Sequence, residues 1–172
     1  MPYAVTHVLT AIIASDLIRD YSKRYGKYFT LYTVFLAGVG GLLPDIDLPI
    51  MWMLSFLGFG EGIINHGIIT HTPFFAILFL IPALYLLKKG KVDHAMHFGA
   101  LAFGILTHII LDLVLGGGAS EGVMFFFPVI LDAYKLHLLK GLSFGWAAGL
   151  DAILLLMWLY HEEVKHKIKD YI

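Results

Sequence analysis

The sequence predicts an all-α protein: a polytopic membrane helical bundle of about five transmembrane helices with one short interfacial or re-entrant helix. Of its 172 residues, 59% are hydrophobic and 15% are charged, and the mean hydropathy is +0.79. Soluble domains are ~45–50% apolar and ~25% charged. The excess lies in blocks, several of which approach the ~20 residues that span a bilayer. No repeat or linker divides the chain, so we expect one membrane domain over residues 1–172.

Five apolar blocks are candidate spans. They occupy roughly residues 3–18, 29–43, 73–87, 95–115 and 142–160. The first lacks the basic region of a cleavable signal peptide, so we expect it to remain as a helix. The third begins at Thr72-Pro73, which is typical of an N-cap followed by the first helical position. The stretch 48–60 is apolar but short for a span, which favours an interfacial or re-entrant helix.

The basic residues predict the orientation. With five spans, one membrane side carries the segments 19–28, 88–94 and 161–172, which hold ten of the 12 lysines and arginines. The other side holds only Lys135 and Lys140. By the positive-inside rule the first side is cytoplasmic. The sequence therefore predicts a multi-pass protein of the cell membrane with its N-terminus outside and its C-terminus in the cytoplasm.

Histidines and aspartates from four separate segments fall on the outer side in this topology. The segments are the first helix, the turn after the second helix, the loop before the third, and the outer half of the fourth. Their candidate metal ligands are His7, Asp45, Asp47, His66, His71, His108 and Asp112. Because the orientation depends only on lysine and arginine, this convergence is an independent indication of a common site.

The spacing and chemistry of these residues favour a metal site. In "HIILD", His108 and Asp112 lie on one helix face, and Gly104 extends that face so that a neighbouring helix can approach closely. A hydrogen bond inside the bundle would also explain this pair, and the two histidines of "NHGIITHT" could simply face water. Three carboxylates without a nearby lysine or arginine need a cation or protons to neutralise them. Imidazole and carboxylate suit Zn²⁺ or another divalent metal, as one ion or two.

The segment "LLPDIDLP" is expected to be a turn between two helices. Pro44 should end the second helix and Pro49 should start the interfacial helix, which leaves the residues between them extended. In an extended segment Asp45 and Asp47 point to the same side. Both carboxylates would then face one metal cluster.

Three motifs together resemble a known family. "GGLLPDIDLP", "HGIITHT" and "HIILD" are similar to the YdjM-like family of membrane-bound, metal-dependent hydrolases, over residues 1 to about 128 and including Gly122 and Pro128. The chain departs from the family pattern at Gly67 and Leu115, where Arg and Thr are common. The resemblance implies distant kinship with zinc-dependent phospholipase C and P1-type nucleases, which are helical enzymes with a zinc cluster. It also implies a phosphoester substrate.

The leading hypothesis is a hydrolase whose metal site opens at the outer face, with Asp45 or Asp47 orienting or deprotonating the attacking water. The expected partners are the bilayer and a lipid or phosphoester substrate, and the net charge of −1 argues against nucleic acid. A metal-ion or proton transporter using the same cluster is the alternative, and a purely structural membrane protein is a third possibility. Asp151, in the middle of the last span, is expected to support the site or to join two helices.

The remaining histidines are expected to face water. By the predicted topology His94, His97, His161 and His166 lie on the cytoplasmic side, and His137 lies in an outer loop.

Overall fold

The computed structural model describes residues 4–23, 26–59, 66–115, 122–136, 138 and 145–167. These residues form helices and connecting turns without a β-strand, and one isolated antiparallel bridge joins Val123 and Tyr134. The helices are α1 (Ala4–Tyr21), α2 (Leu31–Leu42), α3 (Asp47–Phe56), α4 (Pro73–Lys88), α5 (Val92–Leu115) and α6 (Gly145–His166). The predicted all-α class is confirmed. Several residues used above lie outside the described ones, namely Arg24, His137, Lys140 and Lys169.

Two helical runs in the described part of the chain are long and apolar enough to cross a membrane. They are Leu31–Phe56, which joins α2 and α3, and Val92–Leu115, which is α5. Pro73–Lys88 is apolar but shorter. Length and composition therefore support membrane spans, and the five-span arrangement stays a prediction.

The segment between α2 and α3 is helical, so the predicted extended conformation is wrong. Leu43–Ile46 form a 3-10 turn with Pro44 at its start, and α3 begins at Asp47. Pro44 does not interrupt the chain because the first residues of a helical turn need no N–H donor. Successive side chains in helical turns are about 100–120° apart, so residues two apart diverge. Asp45 and Asp47 consequently have different neighbours.

α5 lies at the centre of the bundle and packs against α1, α2 and α4. Its contact with α2 depends on two glycines. A Cβ atom on Gly104 would collide with the carbonyl oxygen of Ala37 and lie 2.6 Å from the amide nitrogen of Gly41, and one on Gly40 would collide with the Leu101 carbonyl oxygen. Because these glycines have no side chain, the two backbones can approach closely. The close approach predicted for Gly104 is confirmed.

α6 is joined to the bundle mainly through α1. None of its described side chains is fully buried. At one end the Thr6 hydroxyl donates a hydrogen bond to Asp151, which is the helix-joining contact considered for that aspartate. At the other end, charged residues of the two helices meet. Polar contacts therefore hold α6 at both ends of α1.

Candidate metal centre

The seven predicted ligands meet at one end of the helix bundle. They come from α1, the 3-10 turn, the first residue of α3, the 66–72 loop and the last turns of α5. Their order along the chain is His7, Asp45, Asp47, His66, His71, His108 and Asp112. The structure thus brings together segments up to 105 positions apart (from residue 7 to residue 112).

An inner group of three ligands is buried between α1 and α5. Nε2 of His108 lies 3.1 Å from Oδ2 of Asp112, and Nε2 of His7 lies 3.4 Å from Oδ1 of the same carboxylate. The His7 and His108 rings stack with their centroids 3.7 Å apart. One ligand atom from each of the three residues can be chosen so that all lie within 4.8 Å of one another. This group could hold one ion.

An outer group lies beside the inner one and reaches the surface. It consists of Asp45, His66 and His71, with ligand atoms again within 4.8 Å of one another. His71 connects the groups, because its Nε2 lies 3.4 Å from Oδ1 of Asp45 and 3.7 Å from Oδ2 of Asp112. The side chains of Asp45 and His66 are 22% and 21% exposed, respectively. The outer group is therefore the side from which solvent or substrate can enter.

The separations between nitrogen and oxygen atoms in the cluster suit metal ligands. Contacts of His7, His71 and His108 with Asp45 and Asp112 range from 3.1 to 3.9 Å. Hydrogen bonds of this kind are typically ~2.7–3.2 Å long. Two atoms bound to a tetrahedral ion at ~2.0–2.1 Å lie about 3.3–3.4 Å apart. Most of these pairs are too long for a good hydrogen bond and close to the spacing that a shared ion requires.

Several buried polar atoms of the cluster lack hydrogen bonds to the part of the chain that the structure describes. They are Nδ1 of His7, Nε2 of His71, Nε2 of His108 and both carboxylate oxygens of Asp112. Leaving one such atom unsatisfied costs about 1–3 kcal/mol. An ion in each group would satisfy Nε2 of His108 with the Asp112 oxygens in the inner group, and Nε2 of His71 in the outer group. The donor set therefore fits a divalent transition metal.

Two of the histidine rings are oriented by partners that belong to neither the inner nor the outer group. Nδ1 of His108 lies 2.7 Å from the Gly41 carbonyl oxygen, and Nδ1 of His66 lies 2.8 Å from Oδ1 of Asp47. A carbonyl or carboxylate oxygen can only accept, so in each ring Nδ1 donates and Nε2 keeps its lone pair. This arrangement is typical of metal-binding histidines. Gly41 was not recognisable from the sequence, because a backbone carbonyl leaves no residue-type signal.

Asp47 is directed toward the 66–72 loop. Besides the His66 contact, its Oδ2 accepts hydrogen bonds from the Gly67 amide (3.1 Å) and from the Thr70 hydroxyl (2.8 Å). Gly67 has a φ of +87°, a conformation that residues with a side chain rarely adopt. Asp47 is buried, and both its oxygens are used in fixing this loop. Thr70 also contacts Nδ1 of His71 (3.1 Å) and was not among the predicted site residues.

A second polar cluster lies at the far end of α1, where the sequence analysis predicted none. Asp16 and Asp20 meet His161 of α6, with Nδ1 of His161 3.5 Å from Oδ2 of Asp16. The prediction that His161 faces water is wrong, since its side chain is only 17% exposed. The four-residue spacing of Asp16 and Asp20 is a sequence signal for this cluster, because it places both aspartates on one helix face.

The fold and the site define a class: a helical membrane protein with a candidate metal centre built from histidine and aspartate. The chain belongs to the YdjM inner membrane protein family, whose model matches residues 1–167. Comparison with curated proteins found no match, and comparison with solved structures found none either. Family membership supports a membrane location and confirms the resemblance to the YdjM family, whereas the multi-pass orientation and the kinship with metal-dependent hydrolases stay predictions.

Proposed function

We propose that this protein is a membrane-embedded, metal-dependent hydrolase with its site at the outer membrane face, acting on a lipid or other phosphoester. One observation carries the proposal. Six potential ligands form two adjoining groups, and five buried atoms on His7, His71, His108 and Asp112 lack hydrogen bonds within the described residues. Such unpaired groups are costly to maintain in a purely structural bundle.

Two divalent ions, with Zn²⁺ the first candidate, fit the ligand set. His7, His108 and Asp112 would hold the first, and Asp45, His66 and His71 would hold the second. When bound, such an ion would supply Lewis acidity and lower the pKa of a bound water to about 7. The Gly41 carbonyl and Asp47 keep the His108 and His66 rings turned toward the site.

Asp45 is the proposed general base. Its carboxylate is partly exposed and lies 3.4 Å from His71 and 3.9 Å from His108, so it can meet both the ligand cluster and an entering water. A carboxylate within hydrogen-bond reach can orient that water and take its proton. Asp47 was predicted to share this role. Its hydrogen bonds support a different one, in which it orients His66 and holds the loop.

α3 is the proposed route for a lipid substrate. It begins at Asp47 and ends with large apolar side chains that point away from the bundle, with Trp52 72% and Phe56 91% exposed. An exposed apolar surface of this kind is suited to the membrane interface. Because Asp45 and Asp47 lie at the start of this helix, a lipid headgroup held beside α3 would lie close to the outer ligand group.

The test combines metal content with hydrolysis. Purified protein in detergent is assayed for bound metal and for cleavage of phospholipids and of soluble phosphodiesters. We expect His108→Ala and Asp112→Asn to lose metal and activity together, while His94→Ala, at an exposed histidine, keeps both. Full metal content in both cluster variants would contradict the site, and metal binding without hydrolysis of either substrate class would contradict the activity.

Transport of a metal ion or protons is the second candidate. It is favoured by the titratable groups at both ends of α1, with the Thr6–Asp151 contact near one of them. Intramembrane groups of this kind commonly mark ion pathways. Proteoliposomes decide between the candidates, because a transporter would move metal or protons across the vesicle membrane without product release.

A further inference from the structure

The polar cluster at the far end of α1 joins that helix to α6. Asp16 and Asp20 are one helical turn apart, and they face His161 and Glu162 of α6. Arg19 lies among them, with its side chain 2.8 Å from Asp16, 3.0 Å from Asp20 and 3.4 Å from Glu162. His166 of α6 completes the cluster, with its Nε2 2.9 Å from Oδ2 of Asp20. The cluster therefore combines three carboxylates, one guanidinium and two imidazoles.

The charges in this cluster do not balance. Three ionised carboxylates and one guanidinium leave a net charge of −2 when His161 and His166 are both neutral. Like charges one turn apart on a helix repel each other, and burial makes the repulsion stronger. Asp16 is 1% exposed, so water does little to offset its charge. One divalent cation would neutralise the remainder.

The arrangement of atoms also leaves positions for an ion. In the part of the chain that the structure describes, neither Asp16 oxygen accepts a hydrogen bond of good geometry, although Arg19 is close to Oδ1, and Nε2 of His161 is likewise unsatisfied. His161 lies 3.5 Å from Oδ2 of Asp16 through Nδ1 and 3.5 Å from Oδ2 of Asp20 through Nε2. Each separation exceeds a normal hydrogen bond and approaches the ~3.3–3.4 Å between two ligands of a tetrahedral ion. Because one ion binds only one nitrogen of the ring, one of the two contacts would be the ligand pair.

We propose that Asp16, Asp20 and His161 form a separate divalent-cation site, in addition to the centre described above, which binds a transition metal and fixes α6 against α1. One ligand atom from each residue can be chosen so that all three lie within 4.8 Å of one another. Two carboxylates and an imidazole suit Zn²⁺ or Mn²⁺. Asp16 is nine positions from His7, about 13.5 Å along the helix, so this site is separate from the candidate metal centre that contains His7.

The experiment measures Zn²⁺ bound per chain. Full-length protein in detergent is stripped with a chelator, reloaded with Zn²⁺ alone, and analysed by elemental mass spectrometry. We expect the double variant Asp16→Asn/His161→Ala to bind about one Zn²⁺ fewer than the wild type, because two of three ligands are lost. The matched control is Asp93→Asn/His94→Ala, which removes an exposed acid and an exposed histidine elsewhere and should bind as much Zn²⁺ as the wild type.

Two further variants keep the test decisive. Asp20→Asn replaces one carboxylate oxygen by an amide nitrogen at a ligand less buried than Asp16. It therefore reports on the site even if the double variant does not fold. We expect at least tenfold weaker Zn²⁺ binding to this site. In a His108→Ala background the double variant should still bind about one Zn²⁺ fewer than His108→Ala alone. This result would separate the Asp16 site from the candidate metal centre that contains His108. Unchanged Zn²⁺ content in the double variant, or unchanged affinity in Asp20→Asn, would overturn the proposal.

Discussion

Asp45 and Asp47 are separated by one residue but contact different parts of the molecule. Asp45 lies beside His71 and His108, whereas Asp47 accepts its hydrogen bonds from the 66–72 loop. The cause is the helical conformation of the segment, which turns successive side chains away from each other. The two carboxylates can therefore be distinguished by experiment.

Replacing each aspartate by asparagine should separate their roles. We expect Asp47→Asn to weaken metal binding by about 10–100-fold, as is typical when a hydrogen-bond partner of a ligand is lost. At excess metal the site of this variant should still fill completely. Asp45→Asn should weaken metal binding too, because Asp45 is a proposed ligand, but it should also lower hydrolysis at saturating metal, because the general base is lost. Isothermal titration with Zn²⁺ and an activity assay at saturating metal give both quantities. Identical behaviour of the two variants would contradict the division of roles.

At this scale, the sequence was most informative where a helix presents its own ligands. The spacing of His108 and Asp112 predicts their contact without any knowledge of the rest of the fold. Neither the Gly41 carbonyl nor the Thr70 hydroxyl could be assigned in this way. Each acts through a neighbour that is brought close only by tertiary packing.

The contact between α2 and α5 links packing to the candidate site. Gly104 and Gly40 let the two backbones approach, and the same approach brings the Gly41 carbonyl within 2.7 Å of His108. His108 is one turn beyond Gly104 on α5. A side chain at Gly104 should therefore disturb both the packing of the bundle and the orientation of a ligand.

Alanine substitutions at two glycines of α5 test this coupling. We expect Gly104→Ala to lower the free energy of unfolding by about 1–3 kcal/mol, because the new Cβ atom collides with α2 backbone. Gly99→Ala is the matched control, since no atom lies within 4 Å of its would-be Cβ atom, and alanine favours a helix by up to about 1 kcal/mol. Denaturation in mixed micelles measures both. Equal stability of the two variants would argue against a tight α2–α5 contact.

The predicted extended turn is wrong because both prolines lie in the first turns of helical segments and leave no break between them. Pro44 starts a 3-10 turn and Pro49 lies in the first turn of α3, where neither needs an N–H donor. A proline marks the start of a helical segment as readily as the end of one. Only the structure decides between these possibilities.

At the scale of the whole molecule, the proposed membrane orientation would place the two polar clusters near different compartments. If the lysine-rich segments are cytoplasmic, the candidate metal centre of His7, His71 and His108 faces the exterior and the Asp16 cluster lies near the cytoplasm. The segments that decide this are 19–28 at the end of α1, 88–94 after α4, and 161–172 at the end of α6. The orientation is proposed from the distribution of charge alone.

Cysteine labelling tests this orientation, and the chain has no native cysteine to interfere. Single variants Phe59→Cys and Lys91→Cys place a thiol at exposed positions on opposite predicted sides. In intact cells a membrane-impermeant maleimide should label Phe59→Cys, whereas Lys91→Cys should react only after lysis. The reverse pattern would invert the topology, and labelling of both in intact cells would contradict the predicted spans.

The sequence predicts the membrane side of each residue, which stays a prediction, but it does not predict the pairing of helices. Lysine and arginine counts placed His7, Asp45, His71 and His108 together, and the structure brings them into contact. The meeting of Asp16 with His161 depends on α6 packing against α1, which hydropathy does not indicate. Long-range helix pairing is a property of the whole bundle.

α1 carries ligands of both clusters, and they point in opposite directions. Nine positions separate His7, which contacts α5, from Asp16, which contacts α6. Nine residues correspond to about 2.5 turns, so the two side chains are about half a revolution apart. A one-residue insertion between them would preserve every functional side chain and yet rotate one ligand by about 100° relative to the other. The length of this interval should therefore tolerate change far less than the identities of the residues within it.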